Sequence, residues 1–384
     1  MSSNSACSKA KCAFTPPRLA DSKMQNPRRK IILTILLVSL VSLHTTRPIK
    51  RLWLTLLAYT NLVVTQGAFR PLNLVTRTPS LERLVFPSGG RSLMADVYRP
   101  RPLVFRREKM PGVMLFTPLV WQARTDPRVV NLAQSLARLG YVVLVPERPT
   151  AEGTVISGQD VDDARTSLKL LRDLKEVDDE RVIPFGLSYG FGPVAVAAAS
   201  DHTLQQAAPF LAGFGGFTEA KEVLRFALTG AYTYHDVRGI SEVDPWLSDL
   251  VRQNVRRTVA TSTARERFLM NVDPETYDRV YADLPMSFRL EVAQLSPSSV
   301  ISKLRKPLLL IHSTDDNVIP FTESLRLKDL AGQNATVSLS LVSIFKHGAY
   351  KPLTWQNFWN DYVPSLRDSL IFLYRFLAWT ETRA

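Results

Sequence analysis

From about residue 82 onward the chain alternates between two hydrophobic rhythms. Short runs that are continuously apolar, or apolar at every second position, read as strands. They are Glu82–Phe86 and Ser92–Tyr98 around the turn signal Pro87-Ser88-Gly89-Gly90, then Gly112–Thr117, Tyr141–Val145, Arg181–Phe185, Ala207–Ala212, Leu308–Ile311 and Thr336–Ile344. Between them, apolar residues recur at helical spacing. Residues 128–139 carry Val129, Leu132, Ala133, Leu136 and Leu139 on one face before Gly140 stops the helix. Asp160–Leu174 opens on carboxylates suited to a helix N-terminus. Val194–Ser200 is a small-residue helix and Leu366–Trp379 a closing one. Tyr141–Val145 is apolar throughout, as a strand covered on both faces must be, whereas Pro184 is awkward inside a central strand.

This alternation predicts an α/β protein with a mostly parallel central sheet flanked by helices. One connection is anomalous. About 95 residues separate Ala212 from Leu308, far more than a loop and one helix need. Helical patterns near 219–229, 246–260, 263–270 and 275–284, broken at Pro245, Pro274, Pro285 and Pro297, make this stretch an inserted helical cap, residues 217–304 of a domain spanning 78–384.

The N-terminus differs. Residues 1–27 mix Ser, Lys, Pro and Asn without periodicity and read as a disordered basic tail. Residues 28–70 hold two apolar runs, Ile31–Leu43 behind Arg28-Arg29-Lys30 and Leu52–Phe69 behind Arg47-Pro48-Ile49-Lys50-Arg51. The first, 13 residues long, falls short of the roughly 20 that span a bilayer. A signal-peptide core with a start at Met24, a membrane hairpin or span, and an apolar helix docked on a soluble domain all remain open. Association with a membrane is the expectation, without a defined side.

Charge supports it. Ten of the chain's Lys and Arg, against Asp21 alone, fall in residues 1–51, so a leader of net charge +9 carries most of the net +13. The rest is close to balanced, and without aromatic-interleaved basic patches nucleic acid is not an expected partner. Apolar residues at 45% and charged residues at 22% exclude a chain disordered throughout. Cys7 and Cys12 lie in the tail and no His-Glu-x-x-His occurs, so neither a disulfide framework nor a metal site is expected. Oligomeric state is not specified.

The chemistry gathers around Gly186-Leu187-Ser188-Tyr189-Gly190, which follows a strand and opens a helix. Such a turn is too sharp for side chains beside the serine and lifts its hydroxyl above the sheet edge. A serine nucleophile needs a base, and the base an orienting acid, in the chain order Ser, acid, His. The histidines are His44, His202, His235, His312 and His347. His235 falls in the cap, as a solvated or lid residue, and His312 ends a strand before the acidic loop. Only His347 follows the Asp315-Asp316 pair. Asp316 is the first choice of acid; Asp315 is the alternative, with a turn-capping role for whichever is not used.

These residues resemble the α/β-hydrolase superfamily over roughly residues 80–384. Residues 178–190, DDERVIPFGLSYG, are similar to the nucleophile approach of dienelactone-hydrolase-like and prolyl-oligopeptidase-like members. HSTDDNVIP resembles the family's acid loop, in which the second Asp, here Asp316, is catalytic, and Lys346-His347-Gly348 its histidine loop. Dienelactone hydrolases proper use Cys, so Ser188 points to esterases. Where the family often carries His-Gly after the third strand, Phe116-Thr117-Pro118-Leu119-Val120-Trp121 stands here. Backbone N–H donors to an oxyanion are then Tyr189 and Leu119, or Val120 if the loop slips by one, since Pro118 has none.

The resemblance implies a serine hydrolase of carboxylic esters with a Ser188–His347–Asp316 triad and no cofactor. A peptidase or amidase, and a non-catalytic scaffold on the same fold, are the alternatives. Phe226, Tyr232, Tyr234, Trp246 and Phe268 suit an apolar, lipid-like or aromatic substrate, or simply pack the cap helices.

Overall fold

The structure, a computed structural model, describes residues 46–64, 70–101, 108–119, 123–148, 155–270 and 272–381. Residues 51–384 form one compact unit; of the unit before it, residues 1–50, Thr46–Lys50 are described and enter the first turn of helix α1 (Arg47–Tyr59). The tail of residues 1–27 and the run Ile31–Leu43 lie outside the described residues.

A transmembrane helix finds no support: among the described residues no helix is long and apolar enough to cross a membrane. The second apolar run begins in α1 and continues through a π-helical turn, Thr60–Val64. α1 carries Arg47, Lys50 and Arg51 and buries Thr55, Ala58 and Tyr59. Arg51 donates to Glu381 at 2.5 Å and Asn61 to Ser135 at 2.8 Å. A helix with cations in its first turns and one face packed on protein is a surface element, not a span.

The hairpin β1 (Ser80–Ser88) and β2 (Arg91–Arg99) turns through Gly89 and Gly90 at φ +53° and +77°, the backbone region that two-residue hairpin turns require. Then β3 (Met110–Phe116), α2 (Pro127–Arg138), β4 (Val142–Pro146), α3 (Gln159–Asp173), β5 (Val177–Leu187), α4 (Phe191–Ser200) and β6 (Leu211–Phe214) alternate. Asp126 caps α2 through the Arg128 N–H.

The β6 exit carries α5 (Ala220–Thr229), a hairpin of β7 (Ala231–Tyr234) and β8 (Val237–Ile240), α6 (Pro245–Thr258), α7 (Thr263–Met270), α8 (Tyr277–Ala282) and α9 (Met286–Gln294). The chain then returns as β9 (Leu308–Ser313), α10 (Thr322–Gly332), β10 (Val337–Val342) and α11 (Val363–Glu381).

The eight-stranded sheet runs β1-β2-β4-β3-β5-β6-β9-β10. β2 pairs antiparallel with β1 and β4; every other pairing is parallel. Period two divides each central strand between two cores. Met114, Phe116, Val142, Leu144 and Val182 face α3 and α4, while Val113, Leu115, Val143, Val145, Ile183 and Phe185 face α2 and α11. Pro184 pairs with Met114 on β3, one residue before β5 meets β6, so its missing N–H interrupts no rung towards β6.

Two expectations shift. Ala207 belongs to a short helix, His202–Ala207, and the strand starts at Leu211, because Asp201 caps that helix by accepting from the Thr203 and Leu204 N–H groups. The β7–β8 hairpin and α9 were not expected from the pattern. The β6–β9 connection has its own core, with Phe226, Val251, Phe268 and Tyr277, joined by Leu119, Val318 and Ile319 from loops at the strand ends.

Candidate active site

Ser188 follows β5 directly at φ +54°, a left-handed conformation costly for a residue with a Cβ. Its flanks explain how the turn is reached. A Cβ on Gly186 would lie 2.3 Å from the Phe191 Cα, and one on Gly190 2.5 Å from the Phe116 carbonyl oxygen. Both contacts are with backbone, so only glycine fits at either place.

The Ser188 Oγ lies 2.7 Å from His347 Nε2, and His347 Nδ1 lies 3.0 Å from each Asp316 carboxylate oxygen. With Nδ1–H donated to Asp316, Nε2 is left to accept the Ser188 hydroxyl. His347 is itself at φ +43°, in the turn between Phe345–Lys346 and Ala349–Tyr350. Asp316 Oδ1 also accepts the N–H groups of Val318 and Ile319, at 2.9 and 2.8 Å. Burial alone would push this carboxyl up. The His347 charge and hydrogen bonds from His312 and His347 outweigh it and hold Asp316 below the usual carboxylate range. Asp315 turns away and takes the Lys351 ammonium at 2.5 Å. The geometry therefore separates the two aspartates that the sequence left as alternatives.

His312 sits fully buried behind the acid, bonded to Ser324 Oγ at 2.6 Å and the Ile319 carbonyl at 2.9 Å, and 3.5 Å from Asp316 Oδ2. His235 is exposed at the β7–β8 turn, 3.5 Å from Asp329. Among the described residues no cluster of His, Cys, Asp or Glu could hold a metal ion; Cys7 and Cys12 lie outside them.

Leu119 is buried and lines, with Pro118, Ser188, Tyr189 and His347, one cavity of about 590 Å³. Val120 lies outside the described residues. Behind this loop is a feature the sequence did not announce. Arg148, wholly buried, donates to the carbonyls of Thr117 and Pro118 at 3.0 and 3.3 Å. Its guanidinium stands 4.7 Å from the Tyr189 ring centre and 3.3 Å from Asp160. The Tyr189 hydroxyl donates to the same Asp160 at 2.8 Å, and burial, with the Asp160 charge, pushes that phenol well above its ordinary range. Arg148 thus ties together the two backbone segments that flank Ser188. Its one sequence signal is an arginine three residues past the apolar strand at Val145, with nothing in the spacing to link it to Asp160.

A second buried carboxylate fixes the entry to the β6–β9 connection. Glu323, near the start of α10, accepts the N–H groups of Thr218 and Glu219 at 2.9 and 2.8 Å. Burial outweighs these bonds and raises its pKa to about 7.

Residues 110–339 match the profile described as "Alpha/beta hydrolase family". The quorum-quenching protein AidA of Acinetobacter baumannii (strain MDR-ZJ06) is 24% identical over 261 residues, 63% of this chain and 80% of AidA. Pyrococcus horikoshii acylaminoacyl peptidase superposes with a TM-score of 0.51 at 16% identity over 81% of this chain and 42% of the peptidase. A puromycin-hydrolyzing peptidase of Mycobacterium tuberculosis gives 0.51 at 16%, over 79% and 39%. The chain thus spans about two fifths of the length of either peptidase, and likeness at this identity concerns the fold.

Proposed function

The chain belongs to the α/β-hydrolase family, and on that premise we propose that it is a serine hydrolase cleaving carboxylic esters through an acyl-enzyme. The observation that carries this is the unbroken relay from Ser188 Oγ to His347 Nε2 at 2.7 Å and from His347 Nδ1 to Asp316 at 3.0 Å. Ser188 attacks the carbonyl carbon as His347 takes its proton. Asp316 holds the ring's tautomer and stabilises the imidazolium. The N–H groups of Tyr189 and Leu119 receive the developing oxyanion, Leu119 on a loop whose Thr117 and Pro118 carbonyls Arg148 holds. His347 returns the proton to the leaving alcohol, and water, activated by the same imidazole, releases the acid. The helical connection over the strand ends acts as a cap: Trp246, Leu247 and Val251 of α6 and Phe288 of α9 line the cavity that holds Ser188.

Apolar walls favour an ester with an uncharged acyl group over a peptide, whose backbone groups would be buried there without partners. The test is turnover of p-nitrophenyl esters and labelling by a fluorophosphonate, with Ser188→Ala alongside. We expect labelling to vanish and kcat/KM to fall at least ~10⁴-fold. Equal turnover in the variant, or none from folded wild-type protein, would move the assignment to a non-catalytic scaffold.

A further inference from the structure

The space around Ser188 does not stop beneath the cap. It continues along the other sheet face, between the sheet and helices α2 and α11, where close packing would be expected of a finished core. Leu132 and Leu136 of α2, Leu139 at its C-cap, and Phe372, Phe376 and Leu377 of α11 line this arm. Along these two helices, beyond Arg128 at its mouth, polar side chains enter the lining only at Asn131 and Ser369 among the described residues. From Arg128, beside the His347–Gly348 turn, to the C-cap Leu139 the arm follows α2 and its end for 11 residues. At about 1.5 Å per residue that is roughly 16 Å, the length of an extended acyl chain of about twelve carbons. Ala58, Leu62 and Val63, from α1 and the turn that ends it, form part of the wall.

We propose that this arm is a tunnel for one long acyl chain, that the substrate class is long-chain acyl esters, and that Ala58, Leu62 and Val63 limit the chain length. The proposal rests on the serine-hydrolase reading. It makes the N-terminal helix part of the specificity machinery, although that helix lies outside the matched residues 110–339. Each methylene that enters an apolar tunnel improves kcat/KM by about fourfold, until the tunnel is full.

The experiment uses the full chain and p-nitrophenyl esters from two to sixteen acyl carbons, with Leu62→Trp and Leu62→Ala beside wild type and thermal unfolding as the folding control. In wild type kcat/KM climbs to an optimum near ten to twelve carbons, the size that the measure along α2 allows. Leu62→Trp lowers the ratio of twelve-carbon to four-carbon kcat/KM at least ~10-fold, and Leu62→Ala shifts the optimum to longer chains. A wild-type preference for two to four carbons, or an optimum unmoved in both folded variants, overturns the tunnel. Fluorophosphonate labelling at Ser188 with turnover of acetate would then leave the hydrolase reading standing. Loss of labelling and of all turnover would sink both.

Discussion

Outside glycine, the described residues with positive φ are Ser188, His235 and His347. His235 is an exposed turn residue beside Tyr234 and Asp329, whereas Ser188 and His347 are the two ends of a 2.7 Å hydrogen bond. Strain of about 1–3 kcal/mol per such residue persists only where the surroundings over-determine it. Ser188→Gly should therefore be more stable than Ser188→Ala by about 1 kcal/mol, read as a higher Tm, though both lack the hydroxyl. Arg148 makes a different prediction. Arg148→Lys keeps a cation for Asp160 but loses the planar fork that holds the Thr117 and Pro118 carbonyls. We expect kcat to fall ~10²-fold while KM changes less than about threefold, because a displaced donor acts on the oxyanion and not on the bound ester. Equal loss in KM would mark Arg148 as a packing residue.

At the scale of elements, Glu323 makes the entry to the cap depend on pH. Its carboxyl binds a proton in the folded state up to about pH 7 and in the unfolded chain only to about 4.5. Between those values the folded state holds more protons, so stability present at low pH is lost as pH rises through 7, by on the order of 3 kcal/mol. The Tm advantage of wild type over Glu323→Gln should shrink from pH 5 to pH 8; a constant difference would show that the carboxyl ionises normally. The strands were legible because a short apolar run, continuous or alternating, is a local signal. The elbow, the acid loop and the histidine loop were legible because turn chemistry is written in glycines and aspartates next to the reactive residue. α9 was not, since Met286 and Leu290 are exposed while Phe288 and Val292 are buried, which leaves no clean stripe. Glu323, Arg148 and His312 were not, because a charge acquires its meaning from partners distant in the chain, as Arg148 does from Thr117.

At the scale of the whole molecule, the basic leader and the run Ile31–Leu43 support a membrane-associated setting, proposed here from sequence. Leu52, Trp53 and Leu56 leave an apolar stripe exposed on the described part of α1. The full chain should float with anionic vesicles at low salt, and deletion of residues 1–45 should abolish this. Flotation unchanged by the deletion would transfer the contact to the body. A hydrolase delivered to lipid in this way would meet the long-chain esters proposed above where they are concentrated.

The joining of α1 to α11 also has a consequence in time. Arg51 and Glu381, which hydrogen-bond across the two helices, are 330 residues apart. At about 5–20 residues per second a ribosome needs roughly 15–65 s to make the second after the first. α2, which packs against the end of α1 through Asn61 and Ser135, is made early in that interval, whereas α11 is missing until its end. The wall is thus begun by the first described helix and completed only by α11, the last, so its α11 side closes when the chain is nearly finished.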